Sequence, residues 1–474
     1  KRDHVQNIIE PLKSLEVFEA ALRHLKYKKT HLNISGVSDS QVSHLVSGLL
    51  PVGTKVIITP DEKKAKEIVD DMKFFEGDRV LFYPSKDLIF YSADVHSNDI
   101  TRARMLILEQ LVQGNDITLV MSVEALVDPL ISFEKIQSKI LNFEVGLEKS
   151  VTQLAKELVF LGYERVDIVE SRGQFALRGG LIDVFPMNME DLVRIEFFGD
   201  EVDSIRLVNH ETQRSISMLD NAMILPAREI VVDEEAIQRA IETSTKDFEQ
   251  HYKKLKKKNL LDEIGELKRT YEVLTDKISQ HGNFNGIESY VFYYYDQIYS
   301  VLDYLTNPKI VLVEPTHILE RIKGMTHEYT DSMQTRFEKG QLLPKQLELG
   351  HRFNHIIDEI DRYQTIMMSS LFSTKKALDY KENLQFNVKS INVYHQNFDL
   401  MIKDINYYLN LDYTMLLVTA SRTRSQRLHE LFLEHDIPSR VLKDFDHELP
   451  KGIINIGVGQ IHRGFDYPDV KFAI

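Results

Sequence analysis

Along the first 130 residues, apolar positions alternate between helical spacing and short continuous runs. Helical spacing covers residues 5–26, 40–50, 61–75 and 97–113, and the apolar runs cover residues 31–36, 55–59, 79–83 and 117–122. Buried strands that alternate with helices of this length are typical of a parallel sheet covered by helices. The sequence therefore predicts an α/β lobe at the start of the chain.

The pattern changes between residues 131 and 212, where short stretches of alternating apolar and charged residues are separated by glycines. This alternation is typical of half-buried antiparallel strands, and one helix is predicted near residues 150–160. The polar face of these strands displays arginines and a carboxylate, which would be costly to bury unpaired. We therefore expect a β-rich insert whose charged face is the first place to look for function.

Helical spacing returns after the insert. It covers residues 233–279 and 316–375, with one strand predicted at 309–313, and from about residue 388 two strands (415–419 and 452–457) flank a helix at 422–435. The predicted fold class is α/β and multidomain: an α/β lobe interrupted by a β-rich α+β insert, then a small separate α/β domain. The expected domain boundaries are residues 1–130, 131–212, 213–376 and 377–474.

Composition narrows the functional classes. The chain has 474 residues, no cysteine and a formal net charge of −14, so disulfides and thiolate metal sites are excluded. The negative charge argues against nucleic-acid binding over the whole surface but leaves room for a local basic groove. No apolar run reaches the roughly 18–20 residues of a membrane-spanning helix, and we expect a cytoplasmic protein without membrane association. Because the chain starts at Lys1 and ends like an interrupted strand, we also expect a piece of a longer protein.

A strand, turn and helix beginning at residue 31 occupy the place of a phosphate-binding loop. Such a loop needs a second glycine, so that backbone N–H groups can wrap around phosphates, and then a lysine that offsets their charge. Counted from Gly36, these positions hold Gln41 and Val42, and only Ser43 fits. The sequence therefore predicts a degenerate, non-functional nucleotide loop.

The acidic motif of such a site is also incomplete. A carboxylate pair after a buried strand would hold Mg²⁺ and activate water, but strand 309–313 is followed by Glu314 and Pro315. We therefore expect no catalytic residue and no bound cofactor in this chain. His429 and His435 are not spaced as zinc ligands, and we expect no metal site.

A lysine run at residues 253–258 has two interpretations. It could contact phosphates, or it could be the solvated face of a helix. The acids Asp262, Glu263 and Glu266 follow closely and favour the solvated face.

The insert also carries a long signature. Residues 172–186 read RG-x-F-x-x-RG-x-x-x-D-x-FP, and R-x-E-x-F and E-V-x-x-I follow between residues 194 and 205. The signature resembles domain 2 of the bacterial repair protein UvrB and of its relative, the transcription-repair coupling factor (Mfd). The resemblance extends along the chain, since residues 36–43 fall at the position of the ATP loop of UvrB and residues 285–290 resemble the GIENY run of this family.

Two departures separate the members of this family. UvrB has an intact ATP loop and a long β-hairpin that clamps damaged DNA, whereas this loop is degenerate and only a short connection fits between Tyr91 and Thr101. Both departures favour a resemblance to the N-terminal region of Gram-positive transcription-repair coupling factors. The four predicted domains would then be UvrB-like domain 1a, domain 2, domain 1b and domain 3.

The resemblance implies a non-catalytic module that recruits the repair protein UvrA to stalled RNA polymerase. The parent protein would be an ATP-dependent DNA translocase whose motor, with its ATP and Mg²⁺, lies outside these residues. Double-stranded DNA and a masking C-terminal domain would be further partners of that parent. Two alternatives stay open: a UvrB-type damage-verifying helicase, and a DNA-binding module that uses the lysine run.

The family's UvrA-binding positions correspond to Arg165, Arg178, Phe185, Arg194 and Glu196. Arginines suit the recognition of carboxylates, and Phe185 is expected to supply an apolar anchor. Arg172 lies nearby and is a weaker candidate. One UvrB arginine of this contact is replaced by Ala176, which leaves that single interaction without support.

Overall fold

The computed structural model describes residues 5–86, 98–394 and 397–474. The short connection expected between Tyr91 and Thr101 therefore lies largely outside the described residues. Within the described part, the strands form four sheets of seven, six, two and six strands. The predicted α/β class with a separate β-rich insert is confirmed.

The strands follow in chain order. They are β1 His31–Ser35, β2 Lys55–Thr59, β3 Val80–Tyr83, β4 Thr118–Ser122, β5 Leu141–Glu144, β6 Glu164–Arg165, β7 Gln174–Arg178, β8 Leu181–Val184, β9 Leu192–Phe198, β10 Glu201–Val208, β11 Ser215–Leu219, β12 Asn221–Ile224, β13 Lys309–Val313, β14 Thr365–Ser369, β15 Tyr380–Gln385, β16 Lys389–Ser390, β17 Thr414–Thr419, β18 Ser439–Val441, β19 Ile454–Val458, β20 Phe465–Tyr467 and β21 Phe472–Ala473.

The α-helices are α1 Gln6–Ile9, α2 Glu16–Tyr27, α3 Ser40–Leu49, α4 Glu62–Glu76, α5 Asn98–Val112, α6 Phe133–Gln137, α7 Val151–Phe160, α8 Glu234–Lys257, α9 Leu261–His281, α10 Val291–Tyr294, α11 Pro315–Glu338, α12 Leu349–Phe353, α13 Ile356–Asp361, α14 Phe398–Asn410 and α15 Arg422–Glu434. None of these helices is both long enough and apolar enough to cross a membrane.

The first lobe is built on the seven-stranded sheet, in the order β15-β1-β14-β13-β2-β4-β3. Every neighbouring pair in it is parallel. Strands β2, β4 and β14 are buried along their whole length, as expected when helices cover both faces of a sheet. Strands β13 to β15 complete a sheet that β1 to β4 begin, so the intervening chain is an insertion into the lobe.

One predicted helical region is partly wrong. Residues 316–375 contain α11 to α13 as expected, but Thr365–Ser369 is the central strand β14. It lies between β1 and β13 and pairs with both. Because both faces of the strand are buried, its residues are apolar without alternation, and such a short run cannot be told from the end of a buried helix by periodicity.

The insert contains the second sheet, in the order β11-β10-β9-β8-β7-β6. All its pairs are antiparallel except β6 with β7. One face of this sheet belongs to a large apolar core, to which Phe175, Ile182, Ile195 and Ile205 contribute fully buried side chains. The opposite face therefore carries the polar positions of each strand.

A buried ion cluster joins the insert to the lobe. Arg104 contacts Asp128 at 2.5 Å and Glu229 at 2.9 Å, and Lys86 contacts Glu229 at 2.6 Å and Glu288 at 2.8 Å. All five side chains are buried. Glu229 follows the last strand of the insert, so its two cationic partners fix the chain where it leaves the insert.

The C-terminal sheet has the order β16-β20-β21-β17-β19-β18, and it packs directly against the lobe. His44 on α3 is fully buried and lies 3.0 Å from the Tyr467 hydroxyl. Burial lowers the pKa of His44 to about 4. The small α/β unit is therefore fixed to the lobe through a neutral, buried imidazole.

Candidate functional site

A tight turn shapes the charged side of the insert. Gly179, between β7 and β8, has a φ of +62°, and a Cβ at the adjacent Gly180 would lie 2.8 Å from the carbonyl oxygen of Phe197. Phe197 N–H in turn donates to the Gly180 carbonyl at 2.7 Å. The paired glycines therefore allow the β7–β8 turn to approach β9 closely, which aligns the three strands.

Strand register brings the polar side chains together on the outer face. Asp183 on β8 is directly opposite Arg194 on β9, and Arg194 is opposite Arg206 on β10. In the next row, Glu196 is opposite Ser204. Residues directly opposite one another in antiparallel strands have Cβ atoms about 5 Å apart, so these rows form one continuous charged surface.

Asp183 and Arg194 form the centre of this surface. Arg194 Nε and Nη2 donate to the two carboxylate oxygens of Asp183 at 2.7 and 2.9 Å, the parallel two-bond arrangement that fits a guanidinium to a carboxylate. Asp183 is 0% exposed. The hydrogen bonds to Asp183 raise the pKa of Arg194. This pair therefore locks the Arg194 side chain in place.

Arg178 is the more available arginine. Its Nη2 lies 3.5 Å from Asp183 Oδ2, and its side chain is 52% exposed. That separation exceeds the usual 2.7–3.2 Å of an N–H···O hydrogen bond. Because Arg194 already occupies both oxygens of Asp183, Arg178 keeps donors that can reach an incoming carboxylate.

Glu196 belongs to a second pair on the same face. Its Oε2 accepts hydrogen bonds from Ser204 Oγ and from Arg206 Nη2, both at 2.7 Å. Both members of the Glu196–Arg206 pair are partly exposed. Glu196 is therefore neutralised locally, and Arg206, which the sequence did not single out, is part of the charged surface.

The Phe185 side chain is buried. The ring is 2% exposed and is covered by the Arg172 guanidinium, 4.9 Å from the ring centre, and by His210. Arg172 itself is held by Met189 O at 2.9 Å and by Glu190 at 2.8 Å. The ring therefore supports Arg172 from below, and the role of Phe185 as an apolar anchor stays a prediction.

Arg165 is exposed on β6, two strands away from Asp183 in the sheet order. The structure thus brings Arg178 and Arg194 together around Asp183 and places Glu196 beside them. Arg165 lies apart at the sheet edge, and Phe185 lies beneath the surface.

Sequence reasoning missed Asp183 as a site residue. A lone carboxylate inside an apolar strand needs a cationic partner if it is buried, so the Leu-Ile-Asp-Val run of β8 contained the signal. Arg206 was harder to assign, because the register of β10 shifts between Val202 and Ser204. Counting along the strand therefore does not reveal which β9 residue Arg206 faces.

The second candidate location is the carboxyl edge of the first sheet. Gly36 has a φ of +81°, and a Cβ there would lie 2.2 Å from the carbonyl oxygen of Phe386. Ser38 N–H donates to the Gln41 side-chain oxygen at 3.1 Å, so the side chain at the second-glycine position binds an N–H of its own loop. Val42, at the lysine position, is buried, and Ser43 is buried on the same helix.

The start of α3 is also covered. Arg463 N–H, from the C-terminal unit, donates to Ser40 Oγ at 2.9 Å, and the Arg463 guanidinium lies 3.7 Å from Asp39. At the end of β13, Glu314 has a φ of +53° and accepts a hydrogen bond from Ser370 N–H at 2.8 Å. Pro315 is the first residue of α11. The Glu314 carboxylate is thus bound to backbone.

No group of three or more His, Asp or Glu side chains that could hold a metal ion occurs in the described ranges. The insert carries a charged surface. The buried Asp183 holds Arg194, Glu196 pairs with Arg206, and Arg178 keeps N–H donors for a further partner.

Both the insert and the whole chain are similar to known proteins. The family profile described as the UvrB interaction domain matches residues 141–230, which include β5 to β12. The chain is 28% identical over 477 aligned residues to the transcription-repair-coupling factor of Bacillus subtilis (strain 168), covering 100% of this chain and 40% of that protein. It is 26% identical over 427 residues to that of Staphylococcus aureus (strain bovine RF122 / ET3-1), covering 88% of this chain and 35% of the relative.

The chain thus spans well under half the length of these relatives. The alignment with the Bacillus subtilis protein nevertheless includes the lobe, the insert and the C-terminal unit, because it covers the whole chain. Over its full length, the chain is homologous to the N-terminal part of the transcription-repair coupling factors, and it includes their UvrB interaction domain.

Proposed function

We propose that this chain is a recruitment module that binds UvrA in transcription-coupled nucleotide-excision repair. The observation that carries the proposal is the half-exposed Arg178 beside the buried Asp183–Arg194 pair, inside the segment that matches the UvrB interaction domain. A rigid arginine surface of this kind suits carboxylates on a protein partner.

The proposed contact residues have different roles. Arg178 binds a carboxylate of UvrA directly, and Arg194 and Glu196, each already paired, fix the shape of the surface around it. Arg165 adds a peripheral contact from β6, where charge affects the rate of association more than affinity. Phe185 acts indirectly, because it supports the position of Arg172.

The proposed domain division follows the insertion. We extend domain 2 from residue 131 to residue 224, because β11 pairs with β10 and β12 with β5. The UvrB-like lobe (domains 1a and 1b) then comprises residues 1–130 and 225–385, because β15 pairs with β1, and domain 3 covers residues 386–474. In the intact parent we propose an ATP-dependent DNA translocase that engages stalled RNA polymerase and double-stranded DNA in the cytoplasm. A C-terminal domain of that parent would mask domain 2 at rest.

We further propose that this part of the protein does not hydrolyse ATP. The crowded backbone at Gly36, the Gln41 side chain that binds Ser38 N–H and the buried Val42 at the lysine position support this proposal. Equilibrium binding of ATP with Mg²⁺ tests it. Micromolar affinity would contradict it and would favour the damage-verifying helicase.

Binding of purified UvrA to this chain tests the recruitment proposal. We expect Arg178→Ala to weaken binding by about 30-fold, or about 2 kcal/mol, which is typical of a central interface arginine. Arg269→Ala is the matched control, since Arg269 is an exposed arginine on α9 whose ion pair is local. If Arg178→Ala and Arg194→Ala both leave the affinity unchanged, the assignment of this face is wrong.

One observation favours a second candidate function, contact with DNA. The lysines near the end of α8 are all exposed: Lys253, Lys254, Lys256, Lys257 and Lys258. Within the described ranges none of them forms an ion pair. Lys254 and Lys258 lower the pKa of His251, although its burial lowers it more. Salt-sensitive binding to duplex DNA that is lost in Lys256→Glu/Lys257→Glu would support this function. Equal binding by the charge-reversed variant would exclude it.

A further inference from the structure

The charged face of the insert is flanked by exposed apolar side chains. Phe198, the last residue of β9, is 84% exposed, and Met218 on β11 is 63% exposed. Single exposed apolar residues are common on protein surfaces. These two differ because both border the same charged cluster.

Strand register locates both side chains on the outer face. Phe198 is two residues beyond Glu196 on the same strand, and side chains at this spacing point to the same side of a sheet. Met218 is directly opposite Arg206 across the β10–β11 pair, and Arg206 is opposite Arg194. Phe198 therefore borders the charged rows at the turn end of β9, and Met218 borders them at the β11 edge of the sheet.

The backbone holds Phe198 in place. It pairs with Glu201 across the β9–β10 turn, and the preceding residue, Phe197, packs against the main core of the insert. An aromatic ring has few rotatable bonds, so a ring on a fixed strand loses little conformational entropy when a partner covers it. Phe198 thus has the properties of an anchor residue that the buried Phe185 lacks.

Charge on this face defines the partner's chemistry. Asp183 neutralises Arg194 and Glu196 neutralises Arg206, which leaves the positive charge of Arg178 in excess. A complementary surface presents a carboxylate to Arg178 and apolar groups to the two borders of the charged cluster. Apolar contacts around such an ion pair exclude water, and exclusion of water strengthens the pair.

We propose that Phe198 and Met218 are the apolar contact residues of the UvrA-binding face, with Phe198 as the anchor. This inference rests on the proposed function, and it assigns to UvrA a carboxylate flanked by apolar side chains. Phe198 takes the role that the sequence assigned to Phe185, and the apolar contacts add to the contact that Arg178 makes.

The test is the affinity of purified UvrA for the whole chain and its Phe198→Ala, Phe198→Leu and Met218→Ala variants. We expect Phe198→Ala to weaken binding by roughly 10- to 100-fold, as for aromatic anchors in other interfaces, and Phe198→Leu to restore most of the loss. Met218→Ala should weaken binding by about threefold to tenfold. Leu371→Ala is the matched control, because Leu371 is 80% exposed but follows β14 in the lobe.

Salt separates the two kinds of contact. Raising the salt concentration should reduce the effect of Arg178→Ala, because exposed charges are screened, and should leave the effect of Phe198→Ala unchanged. If Arg178→Ala weakens binding while Phe198→Ala and Met218→Ala do not, the apolar assignment is wrong and the recruitment function stands. If none of the three weakens binding, both fail. Loss of self-association in Phe198→Ala, with UvrA affinity unchanged, would instead assign the face to a second copy of this chain.

Discussion

Replacing Asp183 with asparagine should loosen the charged face without removing any group that UvrA touches. The substitution keeps the size of the side chain and one acceptor oxygen, but it removes the charge between Arg194 and Arg178. Asp183 is fully buried and makes two hydrogen bonds to Arg194, at 2.7 and 2.9 Å. Breaking a buried ion pair by removal of one partner costs about 3–5 kcal/mol.

Two features of the structure reduce that cost. Arg194 is partly exposed and regains some hydration, and asparagine keeps one hydrogen bond. We therefore expect the free energy of local opening to fall by about 2 kcal/mol in strands β7 to β10. That corresponds to amide exchange about 30-fold faster. Hydrogen-exchange mass spectrometry of peptides from residues 174–208 measures this quantity directly, without assuming that the whole chain unfolds in one step.

Asp203→Asn is the matched control, since Asp203 is exposed on β10 within the same peptides. In an Arg194→Met background, Asp183→Asn should cost less than half as much, because the main interaction is already gone. UvrA affinity should also fall in Asp183→Asn, through lost positioning of Arg178 and Arg194. Unchanged exchange in β8 and β9 would refute the idea that this pair organises the face.

Three further outcomes follow from the lobe. Glu229→Ala leaves two buried cations short of a partner and should destabilise the chain by about 3–5 kcal/mol, seen as a lower Tm, whereas Glu190→Ala on the surface should change it little. Gly36→Ala should lower Tm far more than Gly53→Ala. Both residues have positive φ, but of the two only Gly36 also lacks space for a Cβ. Equal effects on Tm would contradict the crowding at Gly36. Because the pKa of His44 is lowered to about 4, the folded chain keeps His44 neutral. Its contribution to stability is complete above pH 6.5 and is lost as the pH falls toward 4, by up to about 3 kcal/mol. A His44→Gln variant should therefore lose less stability than the parent over that pH range in urea titrations, and parallel pH profiles would argue against this role.

Much of the fold could be predicted because periodicity reports burial. The helices and strands of residues 5–122 were predicted because their apolar positions follow a period of 3.6 or form short buried runs. Strand β14 was missed for a related reason. Its Thr-Ile-Met-Met-Ser residues are buried on both faces, so they show no alternation that would separate a strand from a helix.

The site was predictable only where the period-2 rule holds. It holds within β9, so Arg194 and Glu196 were assigned to one face, and the structure agrees. It also extends to Phe185, which continues the pairing with β7 one residue beyond β8 and lies on the same side as Asp183, but periodicity does not show that Arg172 and His210 cover the ring. Phe185 N–H donates to the Gln174 carbonyl, and its ring enters a small apolar cluster with Val169 and Leu192.

The ion cluster around Glu229 bears on how the face is used. UvrA contacts need only the local geometry of β6 to β11, whereas the direction in which the face points depends on how the insert is joined to the lobe. Arg104 and Lys86 fix Glu229 at that junction. A Glu229→Ala chain, held below its Tm, should therefore bind UvrA with nearly unchanged affinity while the insert changes its orientation. Because affinity and orientation depend on different residues, a defect in repair with normal UvrA binding would identify orientation as the property that the buried cluster maintains.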